Sequence, residues 1–393
     1  QAHVGLTLSV AMGNGASCIS KRKSKQHQDH RAVSIHNNGE TCQGETSLAR
    51  RVSHVSSTTE YSHADELAPL ERFSTNTTLS DGSTVPRFVS AATSDGQFGE
   101  AAQTLFFMDW DDTIFPTTAI CKECSSSTIQ DLNEEIPASL SARLAGWRAA
   151  LYKFLTQARS VSERCAIVTN SKRPWVQNCV RRFIPEALPL FESHAGIHVI
   201  YAGEVTQKPQ WHGGVRAVRQ EFQLKELEIH DQLTKAKLEA MRRAANDFYS
   251  KYPGQTWKNI LSIGDQPYEH SAVQEMTFRR IASARERLRT KAISVPSEPS
   301  VGEAAFRLEL QARLLPAYVH YNGDISVELQ ALQDQIKVLA TALEMSELAS
   351  VEFPDSAWGP EPQLGCATMA AALDELEGKV QSNLLQAIMD RGE

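Results

Sequence analysis

The sequence lacks any apolar run near the roughly 20 residues that span a bilayer as a helix. It also lacks regularly spaced cysteine pairs, since its seven cysteines are odd in number and scattered over 393 residues. Such usage favours reduced thiols in a cytoplasmic protein. Cys121 and Cys124 form a CxxC pair, which is half of a redox or metal site. No second pair accompanies it, so we interpret both residues as free thiols.

Residues 1–100 lack a periodic apolar face. They are rich in Ser, Thr, Asn, Gln, His and Gly, with isolated apolar residues between them. Because so little apolar surface is available to form a core, the composition predicts a disordered N-terminal region.

The same region contains a short pattern typical of lipid attachment. Met12 and Gly13, followed by Ser17, match M-G-x-x-x-S/T for N-myristoylation if translation starts at Met12. Cys18 is a candidate for palmitoylation, and a basic cluster follows at residues 21–25. One acyl chain binds membranes only marginally, so a second signal is needed for stable anchoring. The pattern predicts peripheral anchoring at the cytoplasmic face of a membrane. A coincidental MG pair in a disordered tail is the alternative.

Downstream, an apolar run ends abruptly in acidic residues. Residues 105–108 are followed at once by Asp109, and then by Asp111, Asp112 and Thr113. This pattern predicts a buried strand whose carboxyl end places carboxylates in the crevice of an open α/β sheet. Because two nearby carboxylates repel each other, the site needs a cation or a basic side chain. An ordinary polar turn after a strand is the alternative.

Two more apolar runs end in polar residues, at Thr169-Asn170 and at Gly264-Asp265. Helical patterns separate the apolar segments, and this alternation predicts an α/β fold with a parallel sheet flanked by helices. The predicted strands are residues 104–108, 165–168, 198–201, 260–263 and 292–295, and the predicted helices are residues 136–159, 174–183, 237–252 and 301–314.

These patterns resemble, in this order, the signatures of the haloacid dehalogenase-like (HAD) superfamily of phosphotransferases. DWDDT at residues 109–113 matches the first signature, Thr169 the second, and Asp265 with Glu269 the acidic fourth. FMDWDDT and SIGDxxxE also resemble a HAD subgroup of microbial eukaryotes. The resemblance covers residues 104–329 and implies a Rossmann-like sheet with the first signature on the central strand.

The resemblance also implies a role for each residue. Asp109 is expected to attack phosphorus and form an aspartyl-phosphate, with Asp111 as general acid and base. Mg²⁺ is expected on Asp109, on the main-chain carbonyl of Asp111 and on Asp265. The residues expected to bind the phosphoryl group are Thr113, Thr169, Asn170 and Lys237.

Three lysines are candidates for the expected active-site lysine. Lys237 follows Thr234, a plausible N-cap, at the start of a strongly helical segment. Lys235 lies two residues earlier, and Lys208 precedes a proline. Glu269 stands where many relatives have a second aspartate, and its extra methylene is expected to shift a contact beside the metal.

Two inserts, residues 114–135 and 203–233, are too short to form an independent cap domain. A minimal cap leaves the site open, which favours a phosphorylated protein or another bulky phosphoester as the substrate. The sequence therefore predicts a Mg²⁺-dependent phosphoric monoester hydrolase in residues 101–325. A non-catalytic HAD-fold scaffold and a phosphotransferase with an acceptor other than water are the alternatives.

Residues 326–393 are predicted to form a helical, acidic extension. Apolar residues recur at helical spacing over two heptads, which are too few for a coiled coil. This favours helices docked on the catalytic domain, with self-association as the alternative. From Glu344 onward, ten acidic residues face two basic ones, a net charge of −8. That charge disfavours nucleic-acid binding through the tail.

Overall fold

The computed structural model describes residues 74–78, 84–88, 97–124, 135–192, 196–205, 221–251, 255–278, 287–331 and 333–389. Gly13, Cys18 and Lys208 therefore lie outside the described residues, as does most of the predicted disordered region. The chain divides into two compact units, and among the described residues the first holds 74–78 and 84–88 and the second holds 97–389 with the gaps given above.

The first unit contains a β-hairpin that the sequence analysis did not predict. Strand β1 (Ser74–Thr78) pairs antiparallel with β2 (Thr84–Phe88), and Ser74 lies opposite Phe88.

The second unit contains a parallel six-stranded sheet with the strand order β5-β4-β3-β6-β7-β8. Its strands are β3 (Thr104–Met108), β4 (Arg164–Thr169), β5 (His198–Tyr201), β6 (Asn259–Gly264), β7 (Arg289–Ser294) and β8 (Ile325–Glu328). Five of the six overlap predicted strands, although β7 begins at Arg289 instead of residue 292, and the α/β expectation is confirmed. The edge strand β8 was not predicted, because four residues that alternate between buried and exposed carry little signal.

Helices cover both faces of this sheet. The described α-helices are α1 (Thr117–Glu123), α2 (Ala138–Val161), α3 (Trp175–Phe183), α4 (Leu188–Glu192), α5 (Ala202–Val205), α6 (Glu221–Phe248), α7 (Pro267–Phe278), α8 (Val301–His320), α9 (Gln335–Ala342) and α10 (Ala367–Met389). Short 3-10 helices are Ala101–Gln103, Pro185–Ala187, Ser346–Ser350 and Asp355–Trp358. In the described part of the chain, no helix is both long and apolar enough to cross a membrane.

The predicted start of helix α6 is wrong. The helix begins at Glu221 instead of Lys237, so Thr234 lies inside it and is not an N-cap. The Thr234 hydroxyl donates to the carbonyl of His230, four residues earlier, at 2.9 Å. Threonine in a helix interior often bonds in this way, so the residue type alone did not mark a helix start.

The core lies on both faces of β3, whose five residues are all buried. Phe106 and Met108 pack in one apolar cluster with α2 and α8, whereas Leu105 and Phe107 pack in a second cluster with α6 and α7. A strand that is buried on both faces reads as a continuous apolar run, which explains why the sequence predicted β3 correctly. The two helix layers leave the carboxyl ends of the strands as the edge where polar side chains converge.

The C-terminal helices belong to the same core. Leu339 of α9 and Leu376 and Val380 of α10 join the cluster that contains α2 and α8, and Met369 packs with Phe306 of α8. These helices are thus docked on the sheet domain. The predicted boundary after residue 325 falls inside β8, so it does not separate two cores.

Candidate active site

Three acidic residues meet near the carboxyl ends of β3 and β6. Asp109 follows β3, and its N–H donates to the carbonyl of Ile263 in β6 at 2.9 Å. Asp265 directly follows β6, and Glu269 lies in the first turn of α7. One carboxylate oxygen from each of Asp109, Asp265 and Glu269 lies within 4.8 Å of the others. The carboxylates that follow two separate apolar runs of the sequence thus lie together at one edge of the sheet. We call these three residues the acidic cluster.

Lys237 is a buried basic residue of this site. Its side chain is 1 % exposed, and its Nζ donates to Oδ1 of Asp109 and to Oε1 of Glu269, the latter at 2.6 Å. The Nζ also lies 5.4 Å from the centroid of the Tyr268 ring, within range of a cation–π contact. Of the candidate lysines, Lys235 is exposed on the same helix.

Helix α6 places Lys237 by its periodicity. Ala236, Ala240 and Met241 are buried on the same helix, in the apolar cluster beneath the sheet. Residues three and four apart share one helical face, so Lys237 lies beside this apolar stripe and is directed to the sheet. The apolar stripe, and not a cap, thus determines which lysine enters the site.

Glu269 has two partners. Its Oε1 accepts from Lys237, and its Oε2 accepts from the backbone N–H of Gln266 at 2.7 Å. A glutamate at the third helical position that bonds back to the N-cap residue forms half of a capping box. A Cβ at Gly264 would lie 2.7 Å from the Cβ of Glu269. Gly264 is therefore needed for the close approach of Glu269 to β6. The glutamate side chain, longer than that of aspartate, reaches both Lys237 and the N–H of Gln266.

Asp265 is oriented by two neutral donors. Its Oδ1 accepts from the Thr113 hydroxyl at 3.2 Å, and its Oδ2 accepts from the Gln266 amide at 2.6 Å. Thr113 was predicted to bind the phosphoryl group. In the structure its hydroxyl contacts an acid of the cluster instead.

Burial dominates the titration of the acidic cluster. Burial raises the pKa of Asp109. The charge of Lys237 acts in the opposite direction, and repulsion from Asp111 adds to the increase. Burial also raises the pKa of Asp265 to about 7 and that of Glu269 to about 8, with repulsion from Asp109 adding to both. Burial opposes the charge of Lys237, but Asp109 and Glu269 outweigh it and raise the pKa of the lysine.

The acidic cluster has the chemistry of a cation site. When ionised, its three carboxylates carry three negative charges against the single positive charge of Lys237. Carboxylate oxygens are the ligands of hard divalent cations, and a bound cation would offset the remaining repulsion. The cluster could therefore hold a metal ion. Asp111, which was predicted to contribute its main-chain carbonyl, has a side chain outside the cluster.

Asp111 instead lies among four neutral donors. Thr117 and Trp175 each donate to its Oδ1 at 2.7 Å. Ser171 donates to its Oδ2 at 2.7 Å, and Thr169 donates to the same oxygen at 3.2 Å. The predicted site residue Thr169 therefore contacts Asp111. Ser171 and Trp175 were missed by the sequence analysis, although they lie two and six residues after Thr169.

Two further residues flank the site. The side-chain nitrogen of Asn170, predicted to bind phosphate, is buried and makes no hydrogen bond within the described residues. Asp112 has a φ of 55°, and its Oδ1 accepts from the backbone N–H of Thr118 at 2.8 Å in the first turn of α1. A carboxylate that accepts from a first-turn N–H satisfies a donor that the helix leaves unpaired, so α1 holds the Asp112 side chain.

Cys121 and Cys124 are near the site in sequence and are not joined by a disulfide. Comparisons of the chain with family models, with curated proteins and with solved structures found no match.

Proposed function

We propose that this chain is a Mg²⁺-dependent phosphatase of the haloacid dehalogenase type that works through an aspartyl-phosphate on Asp109. The observation that carries the proposal is the contact of Lys237 with Asp109 and Glu269, beside Asp265, at the carboxyl end of the central strand. Phosphoryl transfer requires mainly alignment and charge neutralisation, and this arrangement supplies both.

In the first step, an oxygen of Asp109 forms a bond to phosphorus while the bond from phosphorus to the leaving oxygen breaks. Asp111 gives a proton to the leaving oxygen. In the second step, water gives a proton to Asp111, and the water oxygen bonds to phosphorus while the bond from phosphorus to Asp109 breaks. Inorganic phosphate leaves, and both acids return to their starting states.

The remaining residues hold and align the reacting groups. Asp109 and Asp265 would hold Mg²⁺, which when bound neutralises charge on the phosphoryl oxygens. Lys237 holds Asp109 in place, and Glu269 in turn holds Lys237. The buried amide of Asn170 supports the proposal, because an unpaired donor beside Thr169 suits a phosphoryl oxygen.

We also propose a phosphorylated protein or another bulky phosphoester as the substrate, since both inserts are short. Lipid attachment at Gly13 and Cys18 would hold the enzyme at the cytoplasmic face of a membrane. Incorporation of a myristate analogue, compared between the wild type and Gly13→Ala in a chain that starts at Met12, tests this part.

Hydrolysis of 4-nitrophenyl phosphate by the full chain, with and without Mg²⁺, tests the reaction. Asp109→Asn should lower kcat/KM by about 10³-fold or more, because it removes the nucleophile. Asp112→Asn is the matched control, since Asp112 bonds to the first turn of α1 and asparagine tolerates its positive φ. It should retain activity close to that of the wild type.

Two outcomes favour the alternatives. Wild-type activity no greater than that of Asp109→Asn would favour a binding or scaffold protein. Formation of a new phosphoester when an alcohol acceptor is added would favour a phosphotransferase.

A further inference from the structure

The four donors around Asp111 are not equivalent. A hydroxyl can rotate to donate or to accept, whereas an indole N–H can only donate. Oδ1 accepts from the Trp175 indole and from Thr117, and Oδ2 accepts from two hydroxyls, Ser171 and Thr169. A proton on Oδ1 would therefore compete with the indole hydrogen. A proton on Oδ2 is accommodated when Ser171 turns to accept it.

The indole cannot turn away from Asp111. Trp175 is 6 % exposed and begins α3, and its backbone N–H donates to the carbonyl of Lys172 at 2.9 Å. Its ring packs edge-on against Phe115 at 6.3 Å, and Phe115 stacks on Trp110 with ring centroids 5.3 Å apart. This aromatic packing keeps the indole N–H directed at Oδ1.

We infer that Trp175 is a positioning residue: its indole N–H fixes Oδ1 of Asp111, which leaves Oδ2, beside Ser171, as the oxygen that exchanges the proton in the proposed reaction. The inference rests on the proposed function and extends it to a substrate class. A proton held on one defined atom matters most when the leaving oxygen is strongly basic, as in an alkyl ester. The site therefore suits phosphoesters whose leaving oxygen is basic and needs a proton.

The leaving group tests this inference. 4-Nitrophenolate leaves readily as the anion, whereas phenol and alcohols need a proton on the leaving oxygen. Trp175→Phe keeps an aromatic ring, although a smaller one, and removes the N–H. We expect kcat/KM to fall at least about 10-fold more for phenyl phosphate than for 4-nitrophenyl phosphate, a fraction of the usual effect of a general acid.

Trp147→Phe is the matched control. Trp147 is also buried against Phe115, at 5.5 Å, and its indole donates to the carbonyl of Ile114 at 3.1 Å without contacting Asp111. Any loss in this variant should be equal for the two esters. Ser171→Ala should reproduce the ester-dependent loss, and Ser171→Thr, which keeps a hydroxyl, should restore activity towards phenyl phosphate.

An equal loss for both esters in Trp175→Phe, or no loss, would overturn the inference while leaving the proposed function in place. Wild-type activity no greater than that of Asp109→Asn on both esters would refute the proposed function, and the inference would fall with it. The hydrogen bond has its own NMR readout. The Trp175 indole proton should move upfield in Asp111→Ala, and an unchanged resonance would also overturn the inference.

Discussion

The two ends of the central strands both bury charge, but in different ways. At the carboxyl end, the acidic cluster surrounds Lys237. At the amino end of β7, Arg289 and Lys291 are buried, and both donate to asparagine side chains. Lys291 donates to Oδ1 of Asn259. The guanidinium of Arg289 lies 4.1 Å from the centroid of the Phe98 ring.

The difference shows what separates a candidate site from a structural one. At the amino end, each cation has its own neutral acceptor, and burial, with added repulsion from Arg289, lowers the pKa of Lys291. At the carboxyl end, several acids of one sign converge around too little positive charge, and burial raises their pKa values. Convergent titratable groups with an unbalanced charge are typical of functional sites, whereas burial alone is not.

The largest expected effect comes from Lys237→Met, which leaves the acidic cluster without its ammonium group. In EDTA the free energy of unfolding should fall by about 3–5 kcal/mol, the usual loss when one partner of a buried ion pair is removed. Mg²⁺ should recover part of it. Urea unfolding measures this effect, with the exposed Lys235→Met as the control. A loss no larger than that of the control would show that the buried lysine contributes no more to stability than an exposed one.

A pH series on the metal-free protein should give the next largest effect. The pKa values of Asp265, about 7, and Glu269, about 8, lie above those of unfolded carboxyl groups. Between the unfolded and the folded pKa values, the folded state therefore binds more protons than the unfolded state. Its stability should fall as the pH rises from 5.5 to 8.5. We expect a decrease of about 2–4 kcal/mol in EDTA by urea unfolding. Excess Mg²⁺ should reduce the decrease, and a pH-independent stability would contradict the raised pKa values.

Gly264→Ala tests the close approach at the carboxyl end. The new methyl group would displace Glu269, so we expect a loss of about 1–3 kcal/mol in stability. The concentration of Mg²⁺ for half-maximal activity should also rise. Gly146→Ala is the matched control, because a Cβ there meets no atom within 4 Å and alanine favours the helix. Identical Mg²⁺ dependence in the two variants would argue against Glu269 as part of the cation site.

The smallest effect is expected at the amino end. Lys291→Met removes a buried amine that has a neutral partner, so the burial cost that is relieved roughly offsets the lost hydrogen bond. Stability should change by about 1 kcal/mol or less, and Mg²⁺-dependent activity should be unchanged. A loss comparable to that of Lys237→Met would remove the distinction between the two ends.

The sequence by itself determined the local elements and the identity of the acids. Continuous apolar runs marked five of the six sheet strands, and the acids that follow β3 and β6 had to meet at one edge once the strands were parallel. Asp109 and Asp265 were therefore predictable from short patterns. The hairpin of β1 and β2 and the edge strand β8 had too weak a pattern to be found in this way.

Only the tertiary structure decided which distant side chains became partners. Lys237 and not Lys235 entered the site because the apolar face of α6 packs on the sheet, and the same packing brings Glu269 to the lysine. Trp175 and Ser171 reached Asp111 through the path of the chain after β4. Such contacts depend on how elements pack across long separations in sequence, and periodic patterns within one element carry no information about them.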